Sequence, residues 1–228
     1  MTDTDESAAA PAATRRAYRS PRRQEQARAT RQAILAAARL LFVTEGYAAT
    51  SREQVARAAG VAAQTVAAVA GTKRALLEAV LDDAARNQGE PLPLALRSWL
   101  QDLRDQPDGP SLLRHHARSS SHVSARTAGV MEAVRRGAAA DAAIAELWSD
   151  LQRQRHRAQA TVVELLLQRD PQLRADLDPG EAADVLWALT DDALYHGLVV
   201  EKGWSPDRFE SWLGDAMCRL LLGEHGAA

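Results

Sequence analysis

The stretch TSREQVARAAGVAAQTVAAVAG, residues 50–71, decides the fold class of this chain. It contains two short segments with apolar residues at helical spacing, and Gly60 lies in the turn between them. Thr50 and Glu53 are three residues apart, so we expect them to form a capping box at the start of the first segment. Two short helices joined by a tight, glycine-containing turn are typical of a helix-turn-helix.

The second segment, around residues 62–69, carries little polar chemistry, because the side chains other than Gln64 and Thr65 are Ala and Val. A Gln side chain pairs with adenine N6 and N7, and Thr and Ala methyl groups contact the thymine methyl group. If this segment is a recognition helix, four of its residues are expected to contact bases: Ala63, Gln64, Thr65 and Ala68.

Further helices are predicted on both sides of this pair. The first runs from about Gln26 to Thr44 and ends at Gly46, and Thr72 caps the one that follows. Phosphate groups bind favourably at helix N-termini. The residues expected to contact phosphate are therefore Thr50, Ser51, Arg52 and Lys73.

The charge of the chain is unevenly distributed. Residues 14–74 hold 12 Arg and Lys against 3 Asp and Glu, whereas residues 75–228 hold 16 against 24. A basic part beside an acidic remainder predicts that the basic part meets a polyanion such as DNA. The alternative is a chance excess of solvated arginine side chains.

Composition also indicates the compartment. Cys218 is the single cysteine, so no internal disulfide forms, which fits a reducing cytoplasm. The N-terminus is acidic and lacks the apolar core of a secretory signal. No apolar run approaches the ~18 residues of a membrane span. We therefore expect a cytoplasmic protein with no membrane partner.

Helical periodicity continues through the rest of the chain, and no alternating strand pattern is found. The fold class is therefore all-α, with an N-terminal three-helix domain that contains the helix-turn-helix and a larger C-terminal helical domain. The C-terminal helices are predicted at residues 111–123, 125–136, 141–168 and 181–202, with a last helix from Ser205-Pro206. Residues 1–23 have no apolar period and are expected to form a disordered basic arm.

These features resemble the TetR family of bacterial transcriptional regulators over residues 30–81, about a quarter of the chain. The matching motifs are Gly46-Tyr47, Thr50, Ala59-Gly60-Val61 and the run Gly71-Thr72-Lys73-Arg74-Ala75-Leu76. The chain departs from the family pattern in the second segment. Ala62 stands where a Ser cap is frequent, and Ala67 and Ala70 stand where Tyr and Phe are usual.

The resemblance implies a homodimeric repressor that binds a double-stranded DNA operator and is released by a small-molecule ligand. It assigns residues 24–87 to DNA binding and residues 88–228 to ligand binding and dimerisation. The last two helices are apolar over more than one face, which predicts a four-helix contact between subunits. Packing of both helices within one subunit is the alternative.

Polar and aromatic residues in the C-terminal part suggest a ligand pocket. Trp187, Asp191 and Tyr195 are spaced i, i+4, i+8 in a predicted helix, so they are expected to share a face. A carboxylate between two aromatic rings can hold a cation, or it can pair with an arginine such as Arg118 or Arg155. His116 and Trp148 are the other candidate ligand contacts, with an ordinary helix position or a core position as their alternatives.

Other functional classes are less well supported. The chain has no Gly-rich phosphate loop, GxSxG or HExxH motif, so we predict no enzyme and no cofactor. His115 and His122 lie two helical turns apart, too far to hold one Zn²⁺. The alternative function is a helical, dimeric small-molecule-binding or interaction protein whose DNA readout has degenerated. A steep fall of DNA affinity with salt separates the two classes.

Overall fold

The computed structural model describes residues 21–86, 92–169 and 173–222. Its N-terminal helices are α1 (Pro21–Thr44), α2 (Gly46–Ala49), α3 (Arg52–Ala58), α4 (Ala63–Ala70) and α5 (Lys73–Ala85). The remaining helices are α6 (Leu92–Arg104), α7 (Gly109–Ala138), α8 (Ala142–Leu167), α9 (Pro179–Leu189), α10 (Asp192–Tyr195), a π-helix (His196–Glu201) and α11 (Pro206–Leu221).

The prediction of an all-α fold is confirmed, since the described ranges contain one isolated β-bridge and no strand. None of the helices in these ranges is long and apolar enough to cross a membrane. The helix α1 begins at Pro21 rather than at Gln26, and proline suits the first turn of a helix. Of the predicted disordered arm, residues 1–20 lie outside the described ranges, and residues 21–23 are helical.

The helix-turn-helix consists of α3 and α4, which pack against α1 and α5. Val55 of α3 and Val66 of α4 are buried together with Ile34 and Phe42 of α1 and Leu77 of α5. Burying a side chain of this size stabilises the fold by about 1.5–3 kcal/mol. This apolar contact therefore fixes the angle at which α4 is held.

Glycines close the turns of the N-terminal helices. Gly46, Gly60 and Gly71 have φ angles of +83°, +66° and +64°, in the left-handed region that other residues rarely adopt. Each lies where the sequence predicts the end of a helix. The predicted helix-turn-helix therefore has its turns at the expected positions.

The predicted capping box between Thr50 and Glu53 is wrong by one residue. Ser51 is the N-cap of α3: its hydroxyl accepts from the Gln54 N–H at 3.2 Å, and the Gln54 side chain accepts from the Ser51 N–H at 2.6 Å. Thr50 is buried instead, and its hydroxyl donates to the Gly46 carbonyl at 2.8 Å. The helix starts one residue later because Thr50 closes the preceding turn.

The predicted helices at residues 111–123 and 125–136 are one continuous helix, α7, of 30 residues. Asp108 caps its first turn through its carboxylate. Ser121 and Ser124 do not interrupt it, because both are buried between neighbouring helices. Tertiary packing overrides the weak helix propensity of serine at these positions.

The predicted helix at residues 181–202 is interrupted between α9 and α10. The Thr190 hydroxyl donates to the Leu186 carbonyl at 2.8 Å, and the Asp191 carboxylate caps α10 by accepting from the Ala193 N–H at 2.8 Å. Thr and Asp side chains compete in this way with the backbone hydrogen bonds of a helix. The apolar periodicity runs through the break, which is why the sequence reads as one helix.

One hydrophobic core joins the helix-turn-helix to the C-terminal part of the chain. Phe42 and Tyr47 belong to the same buried cluster as Val130 and Val134 of α7 and Ile144 of α8. The predicted domain boundary near residue 87 lies outside the described ranges and stays a prediction. The core itself includes residues from both predicted domains.

A second core lies at the far end of α7 and α8, where these helices pack against α9 and α11. Its fully buried members include Leu113, Val162, Leu186, Leu213 and Met217. The long helices α7 and α8 contribute to both cores. They therefore connect α9 and α11 mechanically to the helix-turn-helix.

Gly137 lies at a close contact between α7, Tyr47 after α1, and Ile144 of α8. A methyl group placed there meets Tyr47 Cβ at 3.2 Å and Ile144 Cγ2 at 3.3 Å, whereas one at Gly197 meets nothing within 4 Å. We expect Gly137→Ala to lower the free energy of unfolding by about 1–3 kcal/mol relative to Gly197→Ala, because the packed core cannot yield. Urea unfolding of both variants measures this, and equal stabilities would contradict it.

Candidate nucleic-acid interface and effector region

The recognition helix α4 presents a small, mostly apolar face to solvent. Ala63, Gln64, Ala67 and Ala68 are exposed, whereas Val66 on the opposite side is 1% exposed. Gln64 is the single exposed side chain of α4 with a strong hydrogen-bonding group, since Thr65 is half-buried. The predicted base-contacting residues therefore lie on the helix as expected, with Thr65 at the rim of the face.

Two arginine side chains hold the C-terminal end of α4. Arg52 Nη1 donates to the Gly71 carbonyl oxygen at 2.7 Å, and Arg31 Nη1 donates to the Val69 carbonyl oxygen at 3.4 Å. These carbonyls are at the negative end of the helix dipole, where a cation is favourable. The orientation of α4 is thus fixed by polar contacts as well as by Val66.

The predicted phosphate contacts differ in what their side chains can offer. The hydroxyls of Thr50 and Ser51 are engaged in the turn and in the cap of α3. Arg52 is exposed and has donors beyond the one that binds Gly71. Its guanidinium is therefore the group best able to reach a phosphate at this edge.

Lys73 is held in place by aromatic and backbone contacts. Its Nζ lies 4.3 Å from the centre of the Tyr47 ring and donates to the Ala48 carbonyl at 3.1 Å. Partial burial lowers the pKa of Lys73 from its ordinary value, although the more distant Asp141 carboxylate opposes this shift. The ammonium group keeps further donors for a phosphate.

The N-terminus of α4 has no side-chain cap. Ala62 has the extended backbone of an N-cap residue, with φ −72° and ψ 147°, but no side-chain oxygen to accept from the first amides of the helix. Ala62 and Ala63 are exposed, so these amides are open to an acceptor from outside. A DNA phosphate satisfies this requirement in charge and in hydrogen bonding.

A small, partly enclosed cavity of about 10 Å³ lies between α7, α8 and the break after α9. It has room for roughly one water molecule. Its charged and aromatic lining includes Glu132, Arg135, Trp148, Arg155, Asp191, Asp192 and His196. Two predicted ligand contacts, Trp148 and Asp191, therefore meet at one cavity.

Arg155 joins α8 to the break between α9 and α10. Its Nη1 pairs with Asp191 Oδ2 at 3.0 Å, and its Nη2 donates to the Trp187 carbonyl at 3.0 Å. The guanidinium also lies 5.5 Å from the centre of the Trp187 ring. Of the alternatives for Asp191, the structure has the ion pair with Arg155, while Arg118 pairs with Glu210.

Asp192 is the carboxylate of this cavity that forms no ion pair among the described residues. It accepts a hydrogen bond from the Thr127 hydroxyl at 3.1 Å. Burial raises its pKa, and hydrogen bonds from Ser124 and Thr127 oppose that rise. The sequence shows an Asp pair in an apolar segment, but it does not distinguish Asp192 from Asp191 as the unpaired one.

The expectation that Trp187, Asp191 and Tyr195 share a helix face is wrong, because the helix breaks between them. Trp187 lines an open groove of about 440 Å³ between α8 and α9, together with Arg153, Arg157 and other polar residues. Tyr195 is buried and packs edge-on against Phe209, with ring centres 5.1 Å apart. The three residues thus lie in a groove, a cavity and a core.

His116 lies apart from the cavity, in the second core. It is 3% exposed, and its Nε2 lies 2.8 Å from Gln159 Oε1, while Trp99 is 5.9 Å away between ring centres. Because an amide oxygen accepts, Nε2 carries the proton and Nδ1 is a buried acceptor without a donor among the described residues. His116 is therefore not the ordinary polar surface position that the sequence allows.

Burial lowers the pKa of His116 to about 4, against an ordinary value of 6.5. Between these pH values the unfolded chain binds a proton that the folded chain does not, so this residue makes unfolding easier as pH falls from 6.5 to 4. In His116→Gln, which keeps an N–H near the same position, we expect this contribution, roughly 3 kcal/mol across the interval, to disappear.

Urea unfolding at several pH values measures the difference between the two proteins. His122→Gln is the matched control, because its side chain on the same helix is 65% exposed. Parallel pH profiles of the wild-type chain and His116→Gln would contradict the expectation.

Comparison with known proteins gives a sequence match for the N-terminal helices and a structural match for most of the chain. Residues 34–80 match the sequence model of the family described as "Bacterial regulatory proteins, tetR family". These residues contain α2, α3 and α4, together with α1 from Ile34 onward and α5 as far as Val80. No curated protein sequence matches the chain.

Solved structures share the fold over most of both chains. NalD of Pseudomonas aeruginosa, the secondary repressor of the multidrug efflux pump MexAB-OprM, is 22% identical with a TM-score of 0.61, and the match covers 87% of this chain and 99% of that one. SmeT, the repressor of the Stenotrophomonas maltophilia pump SmeDEF, is 21% identical with a TM-score of 0.62 and coverages of 87% and 93%.

A transcriptional regulator described from Saccharomonospora viridis, solved in complex with choline, is 19% identical with a TM-score of 0.63 and coverages of 85% and 98%. At these identities the structures establish the fold, and the sequence match establishes the DNA-binding unit. The resemblance to the TetR family is thereby confirmed for residues 34–80, which are a DNA-binding unit of the TetR type, and the chain as a whole has the fold of the regulators compared above.

Proposed function

We propose that this chain is a dimeric repressor that leaves its operator when a small molecule binds between α7, α8 and α9. The observation that carries this proposal is the shared core, in which Tyr47 and Phe42 pack with Val134 and Ile144. The helices α7 and α8 contribute residues to the lining of the cavity, and other residues of the same two helices pack in the core of the N-terminal helices. A ligand that moves them therefore also moves α4.

The residues that contact DNA fall into two sets, one that binds phosphates and one that contacts bases. Arg52, Lys73 and the open amides at the start of α4 bind phosphate, and the backbone near Thr50 and Ser51 lies at the same edge. Gln64 forms the hydrogen bonds to a base, with adenine as its best partner. This division makes affinity strongly dependent on salt and confines hydrogen-bonded readout to few positions.

Dimerisation through α9, the π-helix and α11 places two α4 helices on one duplex. Apolar side chains remain partly or largely exposed in this region, including Val200 at 62% and Leu220 at 39%. Leu189 and Trp212 are half-buried at the surface of the second core. Pairing with a second copy covers them and gives the twofold symmetry of a palindromic operator.

We expect the purified chain to enrich a palindrome from a pool of randomised duplex DNA at low and moderate salt. Gln64→Ala then weakens binding to the enriched duplex by about 1–3 kcal/mol per lost bidentate contact, with less effect on random duplex. Gln154→Ala, an exposed change on α8, is the matched control. Equal losses on enriched and random duplex would show that Gln64 reads no base.

An organic cation is the effector class that the cavity favours. Asp192 offers a half-buried carboxylate without an ion pair among the described residues, and Trp148 offers an aromatic face in the same lining. The choline complex of a regulator with the same fold is consistent with this class. The cavity of about 10 Å³ must open to admit such a molecule.

Release of fluorescent operator DNA by quaternary ammonium ions of increasing size tests this assignment, with neutral analogues of equal shape alongside. We expect release by the cations, and at least a tenfold weaker response in Asp192→Asn with DNA affinity unchanged, because a buried charge contact is worth more than about 1.4 kcal/mol. Asp102→Asn, exposed on α6, is the control. Release by the neutral analogues alone would exclude a cationic effector.

A further inference from the structure

The exposed side chains of α4 occupy one continuous arc. At about 100° per residue, Ala63, Ala67, Gln64 and Ala68 span roughly 140° of the helix circumference. Val66 lies on the opposite side and is buried. The arc that faces a DNA groove therefore carries three methyl groups and one amide.

We infer that α4 identifies its operator chiefly by apolar contact of Ala63, Ala67 and Ala68 with the C5-methyl groups of thymine in the major groove. This inference rests on the proposed operator binding and adds what is read there. An alanine side chain neither donates nor accepts a hydrogen bond. Among the groups on the base edges of the major groove, the thymine methyl is the one that an apolar side chain complements.

The surroundings of α4 permit the close approach that so short a side chain requires. Ala62 precedes the helix and Gly71 follows it, so neither flanking residue carries a bulky side chain. The Arg52 side chain turns back to bind the Gly71 carbonyl at 2.7 Å instead of extending past the helix.

A degenerate recognition helix and a helix that reads methyl groups are expected to respond differently when the C5-methyl group of thymine is removed. Both have few hydrogen bonds to bases. Only the methyl-reading helix loses affinity when a thymine is replaced by deoxyuridine, which pairs identically with adenine and lacks only the C5-methyl group. The comparison therefore isolates the contact in question.

The experiment uses the wild-type full-length chain and the duplex enriched from the randomised pool. Each thymine is replaced in turn by deoxyuridine, and affinity is measured at constant salt. We expect two or three positions in each half-site to weaken binding roughly fourfold per methyl group, the ratio that corresponds to burial of one methyl-sized group. Thymines outside the half-sites are expected to show no change.

Two variants assign the contact to α4. Ala67→Gly removes one methyl group, so at one position the ratio of affinities for thymine and deoxyuridine falls toward one. Ala125→Gly makes the same change at an exposed position of α7 and leaves every ratio unaltered. Thermal unfolding of both variants checks that α4 remains folded, and the deoxyuridine series on the wild-type chain needs neither variant.

The outcomes separate this inference from the proposed function. Enrichment of a palindrome with no deoxyuridine effect overturns the methyl readout and leaves the operator binding intact. Salt-sensitive binding that enriches no sequence overturns both proposals. Deoxyuridine effects that persist unchanged in Ala67→Gly and also in Ala63→Gly and Ala68→Gly assign the methyl contacts to another segment and overturn the role of α4.

Discussion

The contact on which the rest of the molecule depends is the packing of α7 against the N-terminal helices. At Gly129 and Gly137 an added methyl group meets the Val43 and Tyr47 side chains at 3.2 Å, so these side chains pack directly against the α7 backbone. The Arg126 side chain donates to the Ala84 carbonyl at 3.0 Å and thereby ties α7 to α5. A close-packed interface transmits displacement instead of absorbing it. The helix-turn-helix is therefore mechanically part of the body that holds the cavity.

The C-terminal part of the chain keeps polar groups in places where apolar residues would pack at lower cost. Arg155 holds the break after α9 by binding Asp191 and the Trp187 carbonyl. The half-buried Asp192 has no ion pair among the described residues, and the buried His116 leaves its Nδ1 without a donor among them. Burying a polar group that lacks a partner costs about 1–3 kcal/mol. Such costs are typical of functional sites, where a ligand supplies the missing interaction. The cavity beside Asp192 is consistent with this interpretation.

The sequence predicts the helix-turn-helix well because its signals are local. Gly60 and Gly71 have left-handed backbone, and Val55, Ala56 and Ala59 recur at helical spacing. Prediction from the sequence is less successful where side-chain contacts interrupt or bury a regular pattern. Apolar periodicity continues through Thr190–Asp191, where the hydrogen bonds of these two side chains and the contacts of Arg155 interrupt the helix. The burial of His116 depends on Gln159, 43 residues away along the chain. Of the five predicted ligand contacts, the structure brings Trp148 and Asp191 to one cavity and separates the other three from it.

The recognition helix sets the balance between affinity and specificity. Arg52, Lys73 and the uncapped amides of α4 bind any duplex, because phosphate carries no sequence information. Gln64 adds one hydrogen-bonding position, and the three alanines add shape and methyl contact. A helix of this kind depends on its orientation more than a helix with long, adaptable side chains does, because a gap of about 0.5–1 Å already removes a quarter to a half of the energy of a methyl contact. The direct packing of α7 on Tyr47 and Val43 holds the N-terminal helices rigidly against the rest of the chain. This rigid junction provides the fixed orientation that a recognition helix with short side chains requires.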